Sequence, residues 1–412
     1  MTTSPFHKKQ IVLGVTGSIA AYKAVDLASK LAQFGALVDV ILTQAATHFV
    51  TPLTFQSVTG RPAYTDQDLW GSQGHVQHIG LARQANLVVI APVTANTVAK
   101  LAHGIADNLL TVTALAAKCP TIVAPAMDGG MYSHPATQAN LEILRQRDIS
   151  IIGPVEGHLA SGLTGIGRMA EPIELLGRVR YVLSQRGPLK NKKLIVTAGG
   201  TFEPIDPVRG ITNRSSGKQG FALAQAALDR GADVILIAGP TNLDTPSGAQ
   251  RIDIQTAGEM RDEVFKALPG STVLIMAAAV SDFRPISTAE HKIKKVDGLP
   301  GINLERTPDI LGEILKVRAK DGHPQICVGF AAESKDLLSN ARRKLDEKKL
   351  DLIVANDISA GDAGFSVDTN RVTILDAGGG EEVLPLIDKT EVAQFVLERV
   401  IGLLGLSGGE QN

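Results

Sequence analysis

"TAGGTFEPIDPVRGITNRSSGKQG" spans Thr197–Gly220 and is the second strand–glycine–helix opening in the chain. The first, "IVLGVTGSIAAYKAVDLASKLAQFGALVDVILT", spans Ile11–Thr43. One doubly wound domain needs only one first strand, so two openings predict two nucleotide-type domains in series. Before the second opening, Ile11–Val15, Val38–Thr43, Leu87–Ala91 and Thr121–Ala124 read as strands, and Ile149–Ile152 as a weaker one. Helical patterns such as Ala20–Gln33 and Asn96–Leu101 lie between them. Strands separated by helices require crossovers, hence a parallel sheet covered on both faces. "LVVIAP" and "TIVAPAM" lack polar alternation, as strands buried on both faces do. After the second opening, "ADVILIAGP", "STVLIMAAAV", "QICVGFAAE" and "LDLIVAND" repeat the pattern. "NRVTILDAGGGEEVLPL" then reads as a hairpin ahead of a last helix, and the tail "GLSGGEQN" as disordered. The polar, lysine-rich "LSQRGPLKNKK" at 183–193 reads as a linker. The expected fold is α/β, with two Rossmann-like three-layer domains at 1–187 and 188–412, each holding a mostly parallel sheet.

Composition narrows the function. The 412 residues are 44% hydrophobic, enough for two cores, and carry a net charge of −1. That near-neutral balance and the 4% aromatic content argue against nucleic-acid binding. Cys119 and Cys327 stand far apart, in neither a disulfide nor a metal spacing, which suits a reducing compartment. "MTTSPFHKKQ" is polar, and no apolar run approaches the roughly 20 residues of a membrane span. The expectation is a soluble cytoplasmic protein, without membrane or nucleic-acid partners.

The glycine turns refine this. Gly14 and Gly17 precede Ser18, which reads as a helix N-cap. Such a turn either admits a ligand phosphate or simply packs tightly. Its spacing is neither GxGxxG nor a Walker A loop. A dinucleotide site also wants an acid ending the second strand, and here "ILTQAA" offers Thr43 and "LIAGP" offers none. A monophosphate ligand such as FMN fits better, and a two-domain NAD dehydrogenase is disfavoured. "NRSSGKQG" places Asn213, Ser215, Ser216, Gly217 and Lys218 ahead of a helix, either to cradle a phosphate or carboxylate or as an ordinary cap.

Several motifs together resemble a known family. "HIGLARQANLVVIAPVTANTVAKLAHGIADNLL", "PAMDGGMYSHP" and "GHLASGLTGIGRMAEP" resemble the flavin-containing cysteine decarboxylases. "TAGGTFEPIDPVRGITNRSSGKQG", "AAAVSDF", "HKIKK" and "ANDIS" resemble phosphopantothenate–cysteine ligase. Order and coverage match the bifunctional bacterial coenzyme A biosynthesis family. The resemblance implies that the C-terminal half condenses 4′-phosphopantothenate with cysteine, using CTP and Mg²⁺ through an acyl-cytidylate. The N-terminal half then decarboxylates phosphopantothenoylcysteine to 4′-phosphopantetheine with FMN. It also implies a homo-oligomer, trimer-based and as large as a dodecamer.

Site residues carry over by motif. In the ligase half, Lys292 matches the lysine that stabilises the nucleotide phosphates, and Asn213 the asparagine that turns over the acyl-cytidylate. Arg209 matches a substrate contact. Ala278, Asp282, Pro308, Asp309, Ile310, Leu311, Phe330, Lys344 and Lys348 match CTP contacts, while no residue is assigned to the metal. Alone, the "KIKK" run and the i, i+4 pair Lys344/Lys348 read equally as solvated surface. Phe202 stands where the family commonly has arginine. In the decarboxylase half, His78 matches the active-site histidine. His75, three residues earlier, offers a weaker metal-pair reading with no third ligand nearby in sequence. Gly17, Ser18, Thr43 and Thr94 are the FMN-phosphate candidates, with Asp107 along the ring and Arg168 toward substrate.

Two departures stand out. Asp128 replaces the asparagine of "PxMN" that meets the substrate's carboxylate or amide. Ser161 replaces the flap cysteine that protonates the enethiol, and a hydroxyl is a far weaker acid than a thiol. Either another donor, water or Asp128 itself, then supplies the proton, or reduction is slow. The alternative is an active ligase fused to an altered flavoprotein half, either an oxidative decarboxylase or a non-catalytic FMN-binding oligomerisation module.

Overall fold

The computed structural model describes residues 4–69, 77–294, 301–333, 336–357 and 367–406. His75, the last lysine of "KIKK" and the end of "ANDIS" lie outside these. The chain divides into two compact units, Met1–Leu183 and Ser184–Asn412.

In the first unit, six strands pair in parallel: β1 (Gln10–Val15), β2 (Leu37–Leu42), β3 (Ala63–Tyr64), β4 (Leu87–Val93), β5 (Thr121–Pro125) and β6 (Ser150–Ile151). Their spatial order is β3-β2-β1-β4-β5-β6. The helices are α1 (Ala21–Gln33), α2 (Pro52–Thr59), α3 (Gln77–Gln84), α4 (Ala95–His103), α5 (Leu109–Ala116), α6 (Gly129–Ser133), α7 (Pro135–Gln146) and α8 (Pro172–Ser184). A separate hairpin joins β7 (Val155–His158) to β8 (Thr164–Arg168).

The alternation of side chains along a strand feeds two cores. Ile11, Leu13 and Val15 pack with Leu27 and Leu31 of α1 and with Val179 of α8. Val12 packs on the other face with Leu109 and Leu110 of α5 and Leu141 of α7. Gly14 interrupts this run for a packing reason: a Cβ there would lie 2.4 Å from Leu110 Cδ1. A Cβ on Gly17 would likewise meet Ala45 Cβ at 2.4 Å.

The strand order reverses between β1 and β4, which opens a crevice beyond their carboxyl ends. Thr16, 1% exposed, fixes it: its Oγ1 donates to Pro92 O at 2.8 Å and accepts from Thr94 N–H at 3.0 Å.

The second unit carries β9 (Lys193–Ala198), β10 (Phe202–Pro204), β11 (Gly210–Thr212), α9 (Lys218–Leu228), β12 (Asp233–Ala238), β13 (Gln250–Asp253), α10 (Ala257–Ala267) and β14 (Val273–Met276). It continues with β15 (Phe283–Pro285), β16 (Leu304–Arg306), α11 (Ile310–Asp321), β17 (Ile326–Glu333), α12 (Leu337–Glu347) and β18 (Leu352–Asp357). Last come β19 (Thr369–Asn370), β20 (Val372–Asp376), β21 (Glu381–Val383), β22 (Ile387–Asp388) and α13 (Lys389–Leu403).

The main sheet runs β13-β12-β9-β14-β17-β18-β20-β21, parallel as far as β18 and antiparallel after it. The expected hairpin is β20–β21. Ile195, Leu274 and Ile353 share one core with Met260 of α10, Ile314 of α11 and Leu345 of α12, while α9 packs against β9, β12 and α13. Here the switch point lies between β9 and β14. A buried threonine again spans it, Thr197 Oγ1 accepting from Ala278 N–H at 3.1 Å.

Candidate active sites

In the first unit a cavity of about 520 Å³ opens at the β1/β4 switch point. Gly17, Ser18 and Thr94 line it from the ends of β1 and β4, Asp128 from beyond β5, and Ser161 and Arg168 from the hairpin. Ile19, Met127 and Leu159 add apolar wall. Such a lining suits a flat ring system, with hydroxyls and backbone for a polar tail. Thr94 caps α4, its hydroxyl accepting from Thr97 N–H at 3.4 Å. Ser18 is not the cap of α1, contrary to expectation. The chain makes a further turn, Ser18 Oγ accepting from Ala20 N–H at 3.3 Å, and Ala20 precedes the helix without a side-chain cap.

The hairpin is seated on the end of β5. Met127 N–H donates to Gly167 O at 3.0 Å, and a Cβ on Gly167 would lie 2.2 Å from Met127 O. That seating brings the two departures into contact: Ser161 Oγ donates to Asp128 Oδ2 at 2.9 Å. Asp128 Oδ1 accepts from Gly130 N–H at 2.9 Å, so the carboxylate faces two donors. Arg168 pairs with Glu171 at 2.7 Å, and the buried Lys23 reaches the same carboxylate at 2.9 Å. Lys23 first, then Arg168, holds the Glu171 carboxyl below its ordinary range, overriding burial.

Three expected residues are not on this wall. Thr43 follows β2, its hydroxyl 3.5 Å from Val15 O. His78 sits in the first turn of α3, its Nδ1 buried without a hydrogen-bond partner. Asp107 is bound by Lys100 at 2.7 Å, which lowers its pKa against the opposing effect of burial.

In the second unit a cavity of about 740 Å³ lies at the β9/β14 switch point. Asn213, Ala278, Asp282, Pro308, Asp309, Ile310, Leu311, Phe330, Lys344 and Lys348 all line it. The loop after β14 is stitched to the first strand's end by Ser281 N–H donating to Thr201 Oγ1 at 2.9 Å. Asn213 Nδ2 donates to Ala279 O at 3.1 Å and Val280 O at 3.2 Å. Both neighbours are acceptors, which fixes the amide's orientation and commits both of its hydrogens. Asp309 caps α11, accepting from Gly312 N–H at 3.0 Å, and pairs with Lys348. Burial alone would raise the Asp309 pKa, but Lys348 and the Gly312 N–H outweigh it and the net shift is downward. Lys344 Nζ donates to Phe330 O at 3.1 Å.

Arg209 and Lys292 stand off this wall. Arg209 lies 3.7 Å from the buried Asp206, which also accepts Ile293 N–H at 3.3 Å. Asp206 therefore anchors the segment bearing Lys292, itself exposed. Phe202 lays its ring over Gly210, where a Cβ would lie 2.4 Å from Phe202 Cζ. The ring covers backbone rather than replacing a charge.

Sequence reasoning missed Lys389 and Asn356. Both line the second cavity, with exposures of 5% and 9%. A lysine opening an otherwise ordinary amphipathic helix gives no signal of burial. Among the described residues, no group of three or more His, Cys, Asp and Glu side chains is placed to hold a metal ion. None of the described helices is long and apolar enough to cross a membrane.

Comparison with known proteins finds two family matches along the chain. Residues 2–184 match the family model described as Flavoprotein. Residues 189–403 match the DNA/pantothenate metabolism flavoprotein C-terminal domain. The chain is 45% identical over 405 residues to the Coenzyme A biosynthesis bifunctional protein CoaBC of Bacillus subtilis, covering 98% of this chain and 99% of that one. It is 43% identical over 399 residues to the protein of that name from Vibrio vulnificus, covering 96% and 98%. A solved PPC decarboxylase mutant complexed with pantothenoylaminoethenethiol is 39% identical, covering 42% of this chain and 97% of its own, with a TM-score of 0.40.

Proposed function

This chain belongs to the family of bifunctional coenzyme A biosynthesis proteins, with a decarboxylase half and a ligase half, and from that premise we propose how its residues divide the work. Residues 188–412 condense 4′-phosphopantothenate with cysteine, with CTP as the activating nucleotide and Mg²⁺ arriving on its phosphates. A carboxylate must become a mixed anhydride before an amine can displace anything, and the charge developing on phosphate calls for fixed cations and donors. The observation that supports this reading most directly is the gathering of Asn213, Asp282, Phe330, Lys344 and Lys348 around one switch-point cavity. Lys348 and Lys344 neutralise nucleotide phosphates there. Lys292 joins them from its anchored loop. Asn213, its amide hydrogens committed to Ala279 and Val280, acts by shaping the loop that faces the acyl group. It donates to an acyl oxygen only by exchanging one of those bonds.

Residues 1–187 decarboxylate phosphopantothenoylcysteine to 4′-phosphopantetheine. Gly17, Ser18 and Thr94 would hold the phosphate of FMN, with Ile19, Met127 and Leu159 along its ring. When bound, FMN supplies reversible hydride acceptance at the substrate's carbon–sulfur unit. Ser161 Oγ, bonded to Asp128 Oδ2, presents a hydroxyl through which a proton moves between that carboxyl and the substrate. The donors already facing Asp128 temper its repulsion of a substrate carboxylate, and Arg168 offsets the rest. Exposed Ile19 and Tyr22 at the cavity rim, 59% and 61% accessible, fit a homo-oligomer in which another copy covers them.

The test is mass spectrometry of the purified protein with 4′-phosphopantothenate, cysteine, CTP and Mg²⁺. Formation of 4′-phosphopantetheine is the expected result. Accumulation of phosphopantothenoylcysteine would place a defect at Asp128 and Ser161, and absence of any condensation would overturn the ligase reading.

A further inference from the structure

Lys292 stands off the ligase wall, so something other than the wall must place it. The β10–β11 ribbon runs into Asn213, which is on the wall, and its turn at 205–209 meets the segment bearing Lys292. The base of the ribbon is fixed. Phe202 N–H donates to Gln255 O at 2.7 Å, and Thr212 Oγ1 donates to Thr201 O at 2.8 Å. Ala257 N–H donates to the buried Glu203 carboxylate at 2.8 Å, which ties the ribbon to the start of α10.

At the tip sits Asp206, 1% exposed, and its two oxygens serve different segments. Oδ1 accepts from Val208 N–H and Arg209 N–H, both at 2.8 Å, and so closes the ribbon's own turn. Oδ2 accepts at 3.3 Å from Ile293 N–H, the amide directly after Lys292. Two bonds run alongside, Ala289 N–H to Ile205 O at 2.9 Å and Thr288 Oγ1 to Pro204 O at 3.1 Å. Burial alone would raise the Asp206 pKa, but the three N–H groups outweigh it and the net shift is downward. A neutral oxygen could close the same turn without the cost of burying a charge. An ionised acceptor makes the stronger bond, which suits a segment that must be held in place.

We propose that Asp206 is a positioning residue of the ligase, holding the backbone of Lys292 through Ile293 N–H at a fixed distance from Asn213. The two catalytic residues then sit at opposite ends of one braced ribbon. The inference rests on the ligase reading, in which Lys292 meets the nucleotide phosphates. A free surface lysine must lose backbone and side-chain freedom before it can meet a developing charge. With its backbone tethered, only the side chain remains to be ordered. Asp206 itself touches no substrate and acts through Lys292.

The experiment compares the full chain with Asp206→Asn, Lys292→Gln and the double variant. Asparagine keeps one oxygen for Val208 and Arg209 but turns its NH₂ toward Ile293 N–H, donor against donor. The turn survives and the tie to Lys292 is lost. Asp206→Asn should lower kcat for condensation about tenfold, with KM for CTP, Tm and decarboxylation little changed. In the Lys292→Gln background the same substitution should bring no further loss, because both act on one group. Losses that add in the double variant overturn the proposal, and so does an unchanged kcat. A lowered Tm with raised KM for CTP and 4′-phosphopantothenate overturns it too, as the mark of a merely structural carboxylate. Should Asp206→Asn not fold, Thr288→Val removes the neighbouring bond and should give a smaller kcat loss that likewise vanishes without Lys292. A second measurement needs no ligase activity. Trypsin cuts the Lys292–Ile293 bond, whose nitrogen is the one Asp206 holds. Asp206→Asn should be cut there several-fold faster than wild type, with cleavage elsewhere in the chain unchanged. Equal rates at that bond overturn the tether. Wild-type protein that fails to condense its substrates sinks the ligase reading, and the cleavage ratio then decides the tether by itself.

Discussion

The two cavities share a plan and differ in how completely one unit furnishes them. In the ligase half, residues expected at the site fall on a common wall from Asn213 through Lys348, with Arg209 and Lys292 outside. In the flavoprotein half, Gly17, Ser18, Thr94, Asp128, Ser161 and Arg168 share a wall, while Thr43, His78 and Asp107 do not. Position explains much of the difference. Residues just beyond the two strands that flank the switch point face it by construction of the fold, whereas Thr43 follows β2, one strand further out. His78 belongs to a helix covering the sheet, and Asp107 to a helix–helix connection. A resemblance carries residue identities into a structure, but only topology says which of them meet.

Lys292→Gln tests the comparison most severely, because Lys292 lies off the wall. Condensation should fall on the order of 10²–10³-fold, while decarboxylation of supplied phosphopantothenoylcysteine stays unchanged. Equal condensation rates would mean that the wall alone defines the ligase site. Ser161→Ala should slow 4′-phosphopantetheine formation roughly 10²-fold and leave condensation intact, read by following both products in one time course. An unaltered ratio of products would remove Ser161 from the chemistry.

Lys348→Met should raise the KM for CTP about tenfold. It also bears on acid stability. The Asp309 carboxyl is held below its ordinary value, so its stabilising contribution is present above roughly pH 4 and is lost as pH falls through the depressed pKa. Without Lys348 the acid unfolding midpoint should move upward, by circular dichroism across a pH series. No movement would show that the pair does not couple to folding.

The smallest effect concerns the cysteines. Cys327 is 1% exposed and burial, the main cause, pushes its thiol up to about 12, whereas Cys119 is half-buried. Iodoacetamide at pH 8 should label Cys119 and spare Cys327 by peptide mass mapping. Prompt labelling of Cys327 would show that the ligase unit opens locally.

The fold was readable because its signal is periodic. β1, β4, β9, β12 and β18 appear in sequence as apolar runs, since buried parallel strands leave no polar face to confuse the pattern. The short ribbons β10–β11, β15–β16 and β19–β22 were not readable. Two- and three-residue strands carry too few side chains for a period, and distant pairing defines them. The same limit applied at the sites. Asp128 and Ser161 were each noticed, but their hydrogen bond depends on a hairpin seated by Gly167 on Met127. Lys389 was invisible because its burial is decided by α9, a distant neighbour in sequence.

The two buried threonines that span the crevices have a mechanical consequence. Elsewhere the strands are spaced by repeated backbone bonds, so losing one changes little. At the mouth, where the strands part company, Thr16 Oγ1 and Thr197 Oγ1 act as spacers that set the aperture available to a guest. Removing the Thr16 oxygen takes the acceptor from the part-buried Thr94 N–H, and removing the Thr197 oxygen takes it from the part-buried Ala278 N–H, each at a cost of about 1–3 kcal/mol at most. Either removal also frees the mouth to change width while the sheet below keeps its dimensions. In each half a threonine hydroxyl thus trims the gauge of the opening, beside a backbone bond that also crosses it, Thr16 N–H to Pro92 O in the first unit and Ala279 N–H to Gly199 O in the second.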